Sequence, residues 1–178
     1  MVCQDTADSL DEGVWADAIK IDFSKAFDLV PQDRLLTKIA ATGLDLMVVV
    51  WVKEFLLGRS QRVRVDGQLS EEVRVTSGVP QGSVLGPLLF LAYVTDISRN
   101  IESNIRLSAD DCIIYRKIMY SSDDKFQMDK NRLREWAVEN EMKTNPGKSK
   151  AVNLTKAGVK ERIIYYFEDN LLPEANSF

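Results

Sequence analysis

The most constraining feature of the chain is a segment in which apolar and polar residues alternate. Within residues 15–23, the side chains of Ile19, Ile21 and Phe23 fall on one face, and that of Asp22 falls on the other. A period of two residues is typical of a half-buried β-strand. The pattern therefore predicts a strand that ends with the Asp22 carboxylate pointing away from the core.

Two further apolar runs, residues 105–109 and 112–115, are separated only by Asp110 and Asp111. This spacing predicts a tight hairpin with two adjacent carboxylates at its tip. The remaining patterns predict four helices and three strands. The first predicted helix begins near Pro31 and ends at Gly43, the second covers residues 45–57, the third runs from a Ser83 cap to Ile97, and the fourth covers residues 122–142. The predicted strands are residues 61–65 and 71–75, which pair around Asp66 and Gly67, and residues 150–154.

Composition excludes several kinds of chemistry. The chain has no histidine, which removes histidine triads, a histidine general base and zinc sites that need imidazole. Its two cysteines, Cys3 and Cys112, lie far apart and indicate no disulfide framework. With a net charge of -4, the chain lacks the positive electrostatic field of a protein that binds nucleic acid non-specifically. Any catalysis must therefore use carboxylates, lysines or bound metal ions, and any nucleic-acid contact must be local.

The length of 178 residues accommodates one compact domain with a short appendage. We expect an acidic lead-in over residues 1–13, the main domain over 14–155 and a C-terminal segment over 156–178. The lead-in lacks the pattern of a signal peptide, and no apolar stretch reaches the ~20 residues that span a bilayer. We therefore expect a soluble intracellular protein of the cytoplasm or nucleus, neither secreted nor bound to a membrane.

The first candidate site comprises the carboxylates at the predicted strand ends. Asp22 ends one strand, and Asp110 and Asp111 occupy the tip of a hairpin. Carboxylates gathered from two strands can hold Mg²⁺, and two such ions ~4 Å apart can promote phosphoryl transfer. The alternative is ordinary turn chemistry, because aspartate is favoured in turns.

Three other features suit a nucleotide or nucleic-acid site. The glycines of residues 77–90 would let backbone approach a ligand, and Gln81 offers a neutral donor and acceptor, although the segment could simply be the capped start of a buried helix. Lys148 could act as a general acid or be an ordinary exposed lysine. A basic edge suits phosphate contacts, but could equally be a solvated strand face; it consists of Arg59, Arg62, Arg64 and Arg74.

Four segments, in order, resemble the palm of reverse transcriptases from non-LTR (LINE-type) retrotransposons. Residues 22–28 (DFSKAFD) resemble the first catalytic motif, and residues 77–90 the motif that positions template and nucleotide. The Ala-Asp-Asp of residues 109–111 is similar to the metal-binding hairpin, and residues 145–148 (NPGK) to the lysine-bearing loop. The resemblance implies an α+β polymerase palm, with a small antiparallel sheet packed on helices and with the fingers and thumb largely missing.

The resemblance also implies a role for each matched residue. Asp22, Asp110 and Asp111 would hold two Mg²⁺ ions, with the Phe23 carbonyl as a further ligand. Phe27 would exclude a ribose 2′-hydroxyl, and Lys148 would assist the leaving pyrophosphate as a general acid. Gln81 and Gly82 would contact the incoming nucleotide and the template. Apart from the resemblance, we expect Arg59, Arg62 and Arg64 of the basic edge to contact nucleic acid.

The function implied is that of an RNA-directed DNA polymerase, part of a retrotransposon protein, which transfers dNMP from a dNTP to a primer 3′-hydroxyl. Its partners would be an RNA template with a DNA primer and dNTP. The alternative is a catalytically inactive remnant or a nucleic-acid-interaction module. Three positions depart from the family pattern. The family usually has an apolar residue at the position of Lys20, frequently a histidine at that of Gln32, and usually an aromatic residue at that of Ser108. We expect little polymerase activity from this chain in isolation, because a palm without fingers lacks half of the triphosphate clamp.

Overall fold

The computed structural model describes residues 15–108, 111–118, 124–154, 166–167 and 170–173. In chain order the helices and strands are β1 (Trp15–Asp22), α1 (Ala26–Leu29), α2 (Gln32–Ala41), α3 (Leu46–Leu56), β2 (Ser60–Gln61), β3 (Arg64–Val65), β4 (Gln68–Leu69), β5 (Val73–Arg74), α4 (Leu85–Val94), a 3₁₀ turn (Thr95–Ser98), β6 (Asn104–Ser108), β7 (Asp111–Ile118), α5 (Asp124–Glu139), β8 (Lys150–Leu154), β9 (Tyr166–Phe167) and β10 (Asn170–Leu171). The chain divides into two compact units, one with residues up to Ser24 and from Ile97 onward, and one with Lys25–Asp96.

The first unit contains a four-stranded antiparallel sheet in the order β6-β7-β1-β8. β1 is a central strand, and its residues Ala18, Ile19 and Ile21 are fully buried. Its predicted alternation is therefore present, but burial extends to both faces in the first half of the strand, where Asp17 is also buried. Within β1, burial is relieved toward its end, where Lys20 and Asp22 are partly exposed.

Helix α5 packs against this sheet within the first unit. The ring of Trp136 lies 6.3 Å from the ring of Phe23, just beyond β1. Asp129, also on α5, is buried and lies 3.6 Å from the Arg116 guanidinium of β7. The hydroxyl and amide of Ser103 donate hydrogen bonds of 2.6 and 2.8 Å to the same carboxylate. One helix is thereby attached to the sheet by both apolar and ionic contacts.

The second unit is built mainly from helices that pack on one another. α2 contacts both α3 and α4, and it contributes the buried residues Leu35 and Ile39. Lys38 on α2 donates to the Tyr93 carbonyl at 2.8 Å and pairs with Asp96 at 2.6 Å. Because Lys38 is half-buried there, desolvation lowers its pKa, while Asp96 opposes that shift.

The hairpin of the second unit differs in detail from its predicted form. Two continuous strands around Asp66 and Gly67 were expected, whereas β2 pairs with β5 and β3 pairs with β4. Asp66 and Gly67 both have positive φ, 48° and 83°, as a two-residue type I′ turn requires. The turn at Asp66 and Gly67 therefore forms as expected, but β4 follows it directly, whereas the second strand was expected only from residue 71. The ladder is interrupted between the two strand pairs.

The remaining predicted elements agree with the structure in type. The predicted α+β class with a small antiparallel sheet is confirmed, and the helix expected over residues 122–142 is the shorter α5. The tip of the predicted aspartate hairpin, including Asp110, and the predicted boundaries near residues 13 and 155 lie outside the described residues. Within the described ranges, no helix is long and apolar enough to cross a membrane.

Candidate active site at the end of the central strand

Two of the predicted carboxylates lie side by side in the sheet. Asp22 of β1 and Asp111 of β7 are directly opposed cross-strand partners. Residues opposed in an antiparallel pair have Cα atoms ~4.5–5.5 Å apart and side chains on the same face. The register therefore brings together two carboxylates that are far apart in the sequence. Asp110 lies outside the described residues.

The backbone of Asp22 is held on both sides by the loop that carries Lys148. The amide of Asn145 donates to the Asp22 carbonyl at 2.8 Å, and the amide of Asp22 donates to Ser149 Oγ at 3.3 Å. The Ser149 hydroxyl, which is fully buried, donates in turn to the Asn145 carbonyl at 2.9 Å. Sequence reasoning missed Ser149, because a small polar residue between two lysines gives no signal of burial.

A cleft of about 390 Å³ lies beside Asp22 and is lined in part by this loop. Lys148 lines this cleft and is exposed, as a group that must reach a bound ligand would be. The cleft therefore combines a predicted metal-binding carboxylate with the predicted general acid. Its lining residues are Lys20, Asp22, Gly147, Lys148 and Lys150.

A lysine of the same cleft pairs with the second carboxylate. Lys20 Nζ lies 2.6 Å from Asp111 Oδ2, and the two side chains are 28% and 31% exposed. Lys20 precedes Asp22 by two residues on β1, so both side chains project from the same face. Sequence reasoning noted Lys20 only as a polar residue in a strand, because its partner depends on the register between β1 and β7.

The donor groups present here fit a magnesium ion. Mg²⁺ prefers oxygen ligands, and Asp22 and Asp111 supply carboxylate oxygens from adjacent strands. A bridge pairs Phe23 with Thr144, and its hydrogen bonds use the carbonyl of Asp22 and the amide of Ser24, which leaves the Phe23 carbonyl outside that ladder. The phenyl ring of Phe23 has no oxygen donor and is buried, so only the backbone carbonyl of this residue could serve a metal site. Within the described residues, no three acidic or thiol groups gather at one point.

In the second unit, Phe27 is placed by an aromatic partner. Its ring stacks on that of Phe90 of α4, with centroids 4.8 Å apart and planes inclined by 20°. Phe27 keeps part of its surface exposed, while Phe90 is buried beneath it. Phe90 was predicted only as part of the motif of residues 77–90. The stack holds the Phe27 ring in one orientation, as a steric selection against a sugar hydroxyl would require.

The glycine-rich loop is attached to the same segment of the second unit. The amide of Val79 donates to the Phe27 carbonyl, and that of Gly78 to the Val30 carbonyl, both at 2.8 Å. Gly78 has a φ of 83°, and a Cβ there would lie 2.7 Å from the Asp28 carbonyl oxygen. A side chain would not fit, so the loop needs glycine at this point. The loop is thereby held beside the helix that carries Phe27.

Gln81 and Gly82 follow at the exposed part of this loop. Ser83 Oγ accepts a hydrogen bond from the Gly86 amide at 2.9 Å and donates to the Pro80 carbonyl at 2.7 Å. The N-cap position of α4 is Val84, one residue after the serine that the sequence predicted as the cap. The Ser83 hydroxyl still accepts a hydrogen bond from an amide of the first turn of α4 and joins it to the loop at Pro80. Exposure leaves Gln81 and Gly82 accessible to a ligand.

The basic edge is less uniform than the sequence suggests. Arg62 Nη2 pairs with Glu72 at 2.7 Å, while Arg64 is exposed on β3. Arg59 is half-buried, and its Nη1 has no hydrogen-bond partner among the described residues. The exposed carboxylate of Glu72 has a lowered pKa, because it accepts hydrogen bonds from Ser60 and Arg62. A phosphate at this edge would therefore compete with Glu72 for Arg62.

Comparison with known proteins decides the family. Residues 7–166 match the family model described as reverse transcriptase (RNA-dependent DNA polymerase). The chain belongs to the reverse transcriptase family. It is 34% identical over 176 residues to the probable RNA-directed DNA polymerase from transposon X-element of Drosophila melanogaster, a match that covers 94% of this chain and 19% of that protein. It is also 31% identical over 160 residues to the RNA-directed DNA polymerase from mobile element jockey of Drosophila funebris, covering 84% of this chain and 17% of that protein.

The chain thus spans about a fifth of the length of these relatives. Among solved structures, this reverse transcriptase chain is similar in fold to apo telomerase from Candida tropicalis, with a TM-score of 0.64 and 18% identity over 89% of this chain and 36% of that one. A telomerase from Candida albicans in complex with a telomeric RNA fragment gives a TM-score of 0.63 at 15% identity, over 89% of this chain and 32% of that one. The retrotransposon family and the palm-type α+β fold predicted from the motifs are both confirmed.

Proposed function

We propose that this chain forms the catalytic palm of a retrotransposon RNA-directed DNA polymerase. The reaction transfers dNMP from a dNTP to the 3′-hydroxyl of a DNA primer paired with an RNA template. The observation that carries the proposal is the opposition of Asp22 and Asp111 beside the cleft that Lys148 lines. Two opposed carboxylates repel each other, and a divalent cation held between them would turn that repulsion into binding energy.

Asp22, Asp111 and Asp110 would hold the two Mg²⁺ ions, with the Phe23 carbonyl as a further oxygen ligand. The ions would supply electrostatic stabilisation of the attacking and leaving oxygens during an in-line displacement. The chain's own contribution is to fix the carboxylates. Asp22 is held through its backbone by Asn145 and Ser149, so its side chain projects from a rigid point. Such preorganisation matters because misplacement by ~1 Å can cost ~100-fold in rate.

Lys148 would donate a proton to the leaving pyrophosphate. Its position on the loop fastened to Asp22 keeps it within the cleft that a triphosphate would enter. In the second unit, Phe27 would exclude ribonucleotides, and Gln81 and Gly82 would contact the nucleotide and template. Arg59, Arg62 and Arg64 would contact the phosphates of the nucleic acid, and these contacts would weaken with added salt.

The proposal is tested by placing residues 14–154 of this chain in an active polymerase of the family and assaying extension of a DNA primer on RNA. Asp22→Asn and Asp111→Asn should each reduce extension by about 100-fold or more, since each removes a charged metal ligand. Asp66→Asn serves as the matched control, because Asp66 lies in the hairpin turn of the other unit, and asparagine also adopts positive φ. Full extension by the Asp22→Asn and Asp111→Asn variants would overturn the proposal.

One observation favours the alternative, an inactive remnant. The ion pair between Lys20 and Asp111 occupies an oxygen that a metal ion would need. The same chimera distinguishes a catalytic palm from an inactive remnant. If this segment is a remnant, the chimera folds but shows no metal-dependent primer extension.

A further inference from the structure

The Lys20–Asp111 ion pair lies inside the candidate metal site. Lys20 is diagonal to Asp111 across the β1–β7 pair, since its direct partner is Ile113. Its Nζ lies 2.6 Å from Asp111 Oδ2, and Lys20 lines the same cleft as Asp22. A lysine ammonium is a compact charge on a flexible stem, so it can occupy a cation position without fixed coordination geometry. The Lys20 ammonium therefore supplies positive charge beside Asp111 that a metal ion would otherwise supply.

We propose that Lys20 is a built-in counterion that competes with the divalent cation for Asp111. This inference rests on the proposed function, because it concerns the same carboxylates. With Lys20 present, the chain needs a higher cation concentration to fill the site than it would with an apolar residue at that position. In return, Lys20 holds Asp111 in place and reduces its repulsion with Asp22 while no cation is bound.

The solvent exposure of the two side chains determines how strongly Lys20 competes with a cation for Asp111. Both partners are about one-third exposed, so water can reach the pair and the lysine can leave it. Exposed ion pairs contribute little, and the need to open this one should weaken cation binding by about threefold to fivefold. Lys20 is thus a competitor that shifts the concentration dependence, and not a permanent block of the site.

The sheet offers a matched control in Lys150. Lys150 of β8 is the direct cross-strand partner of Lys20 and lines the same cleft. Replacing Lys150 removes one positive charge from the same cleft but leaves the Lys20–Asp111 pair intact. The comparison therefore separates competition for an Asp111 oxygen from a general change in the charge of the cleft.

The experiment measures Mn²⁺ binding to the full chain by electron paramagnetic resonance, for the unmodified protein and for Lys20→Met, Lys20→Gln, Lys20→Arg and Lys150→Met. Circular dichroism checks folding, and the glutamine variant replaces the methionine variant if the latter does not fold. We expect both neutral variants to bind Mn²⁺ about threefold to fivefold more tightly, whereas Lys20→Arg and Lys150→Met stay within about twofold of the unmodified chain. Equal tightening by Lys20→Met and Lys150→Met, or no tightening by either neutral variant, would overturn the inference.

The Asp22→Asn and Asp111→Asn variants, each combined with Lys20→Met, separate this inference from the proposed function. If Mn²⁺ binds and both asparagine variants abolish it, the carboxylate site exists, and the Lys20 comparison decides the inference alone. If Mn²⁺ binding is absent or insensitive to both aspartates, the metal site of the proposed function fails and the inference fails with it. In the active chimera, Lys20→Met should lower the Mg²⁺ concentration for half-maximal extension, with a smaller effect on the rate at saturating Mg²⁺.

Discussion

The amide of Asp22 donates a hydrogen bond to the hydroxyl of Ser149, which lies 127 positions further along the chain. The contact joins the end of the central strand to the loop that carries Lys148. Because Ser149 also donates to the Asn145 carbonyl, one buried hydroxyl links the strand and the loop. The relative position of Asp22, the proposed metal ligand, and Lys148, the proposed general acid, therefore depends on a side chain that has neither proposed role.

Replacing Ser149 by alanine should destabilise the protein and slow primer extension in the chimera. The change leaves the part-buried amide of Asp22 without its acceptor and removes the bond from the buried hydroxyl to the Asn145 carbonyl, which together cost about 1–3 kcal/mol of unfolding free energy. Urea unfolding measures the stability. Ser70→Ala is the control, because the Ser70 hydroxyl also accepts a backbone hydrogen bond, at 2.9 Å from Val63, but is exposed. Equal losses in the two variants would show that burial of Ser149 has no special effect.

Replacing Phe27 by valine should relax the preference for dNTP over rNTP in the chimera. The smaller side chain vacates the space that the ring occupies against Phe90, so a 2′-hydroxyl would fit. The measurement is kcat/KM for each nucleotide class. Phe55→Val is the matched control, because the Phe55 ring is also partly exposed and stacks on another aromatic ring, that of Trp51. Unchanged discrimination in the Phe27 variant would rule out the steric role.

Replacing Asp129 by asparagine should lower stability at neutral pH by about 1–3 kcal/mol. Burial raises the pKa of this carboxyl, but hydrogen bonds from Ser103 and Glu102 and the charge of Arg132 outweigh burial and hold the pKa below its usual range. A lowered pKa in the folded protein contributes stability above the unfolded pKa, and that stability is lost as the pH falls through the folded pKa. The unfolding free energies of the unmodified protein and of Asp129→Asn, measured in urea from pH 7 downward, should therefore converge below about pH 4. A difference in unfolding free energy that stays constant with pH would contradict the prediction.

The stability contributed by Lys130 should rise with pH. This lysine of α5 is buried, and desolvation lowers its pKa to about 8, although the charge of Asp17 opposes the shift. Between pH 8 and the ordinary value of 10.5, the unfolded chain binds more protons than the folded one, so stability increases with pH. The unfolding free energy of the unmodified protein, minus that of Lys130→Met, should grow across this window. A difference that falls or stays level would exclude the lowered pKa.

Much of the fold was predictable because its signals are local. The alternation that ends at Asp22 predicted β1, and the pattern of residues 150–154 predicted β8 with the bounds found in the structure. Helical spacing identified α2, α3, α4 and α5 to within a few residues. A period of two or 3.6 residues reflects the geometry of a single element, so neighbouring residues suffice to reveal it. The family likewise followed from short motifs and their order.

The contacts that would make these residues a site depend on tertiary structure. Strand register places Asp22 opposite Asp111 and Lys20 diagonal to it, while a loop more than 120 positions away supplies Ser149. Such pairings arise between segments that are distant in the chain, and a shift of one residue would send the same side chains to the opposite face. The sequence by itself determined which carboxylates and lysines are available. Only the folded sheet decided which of them meet, because register and burial are properties of several segments packed together.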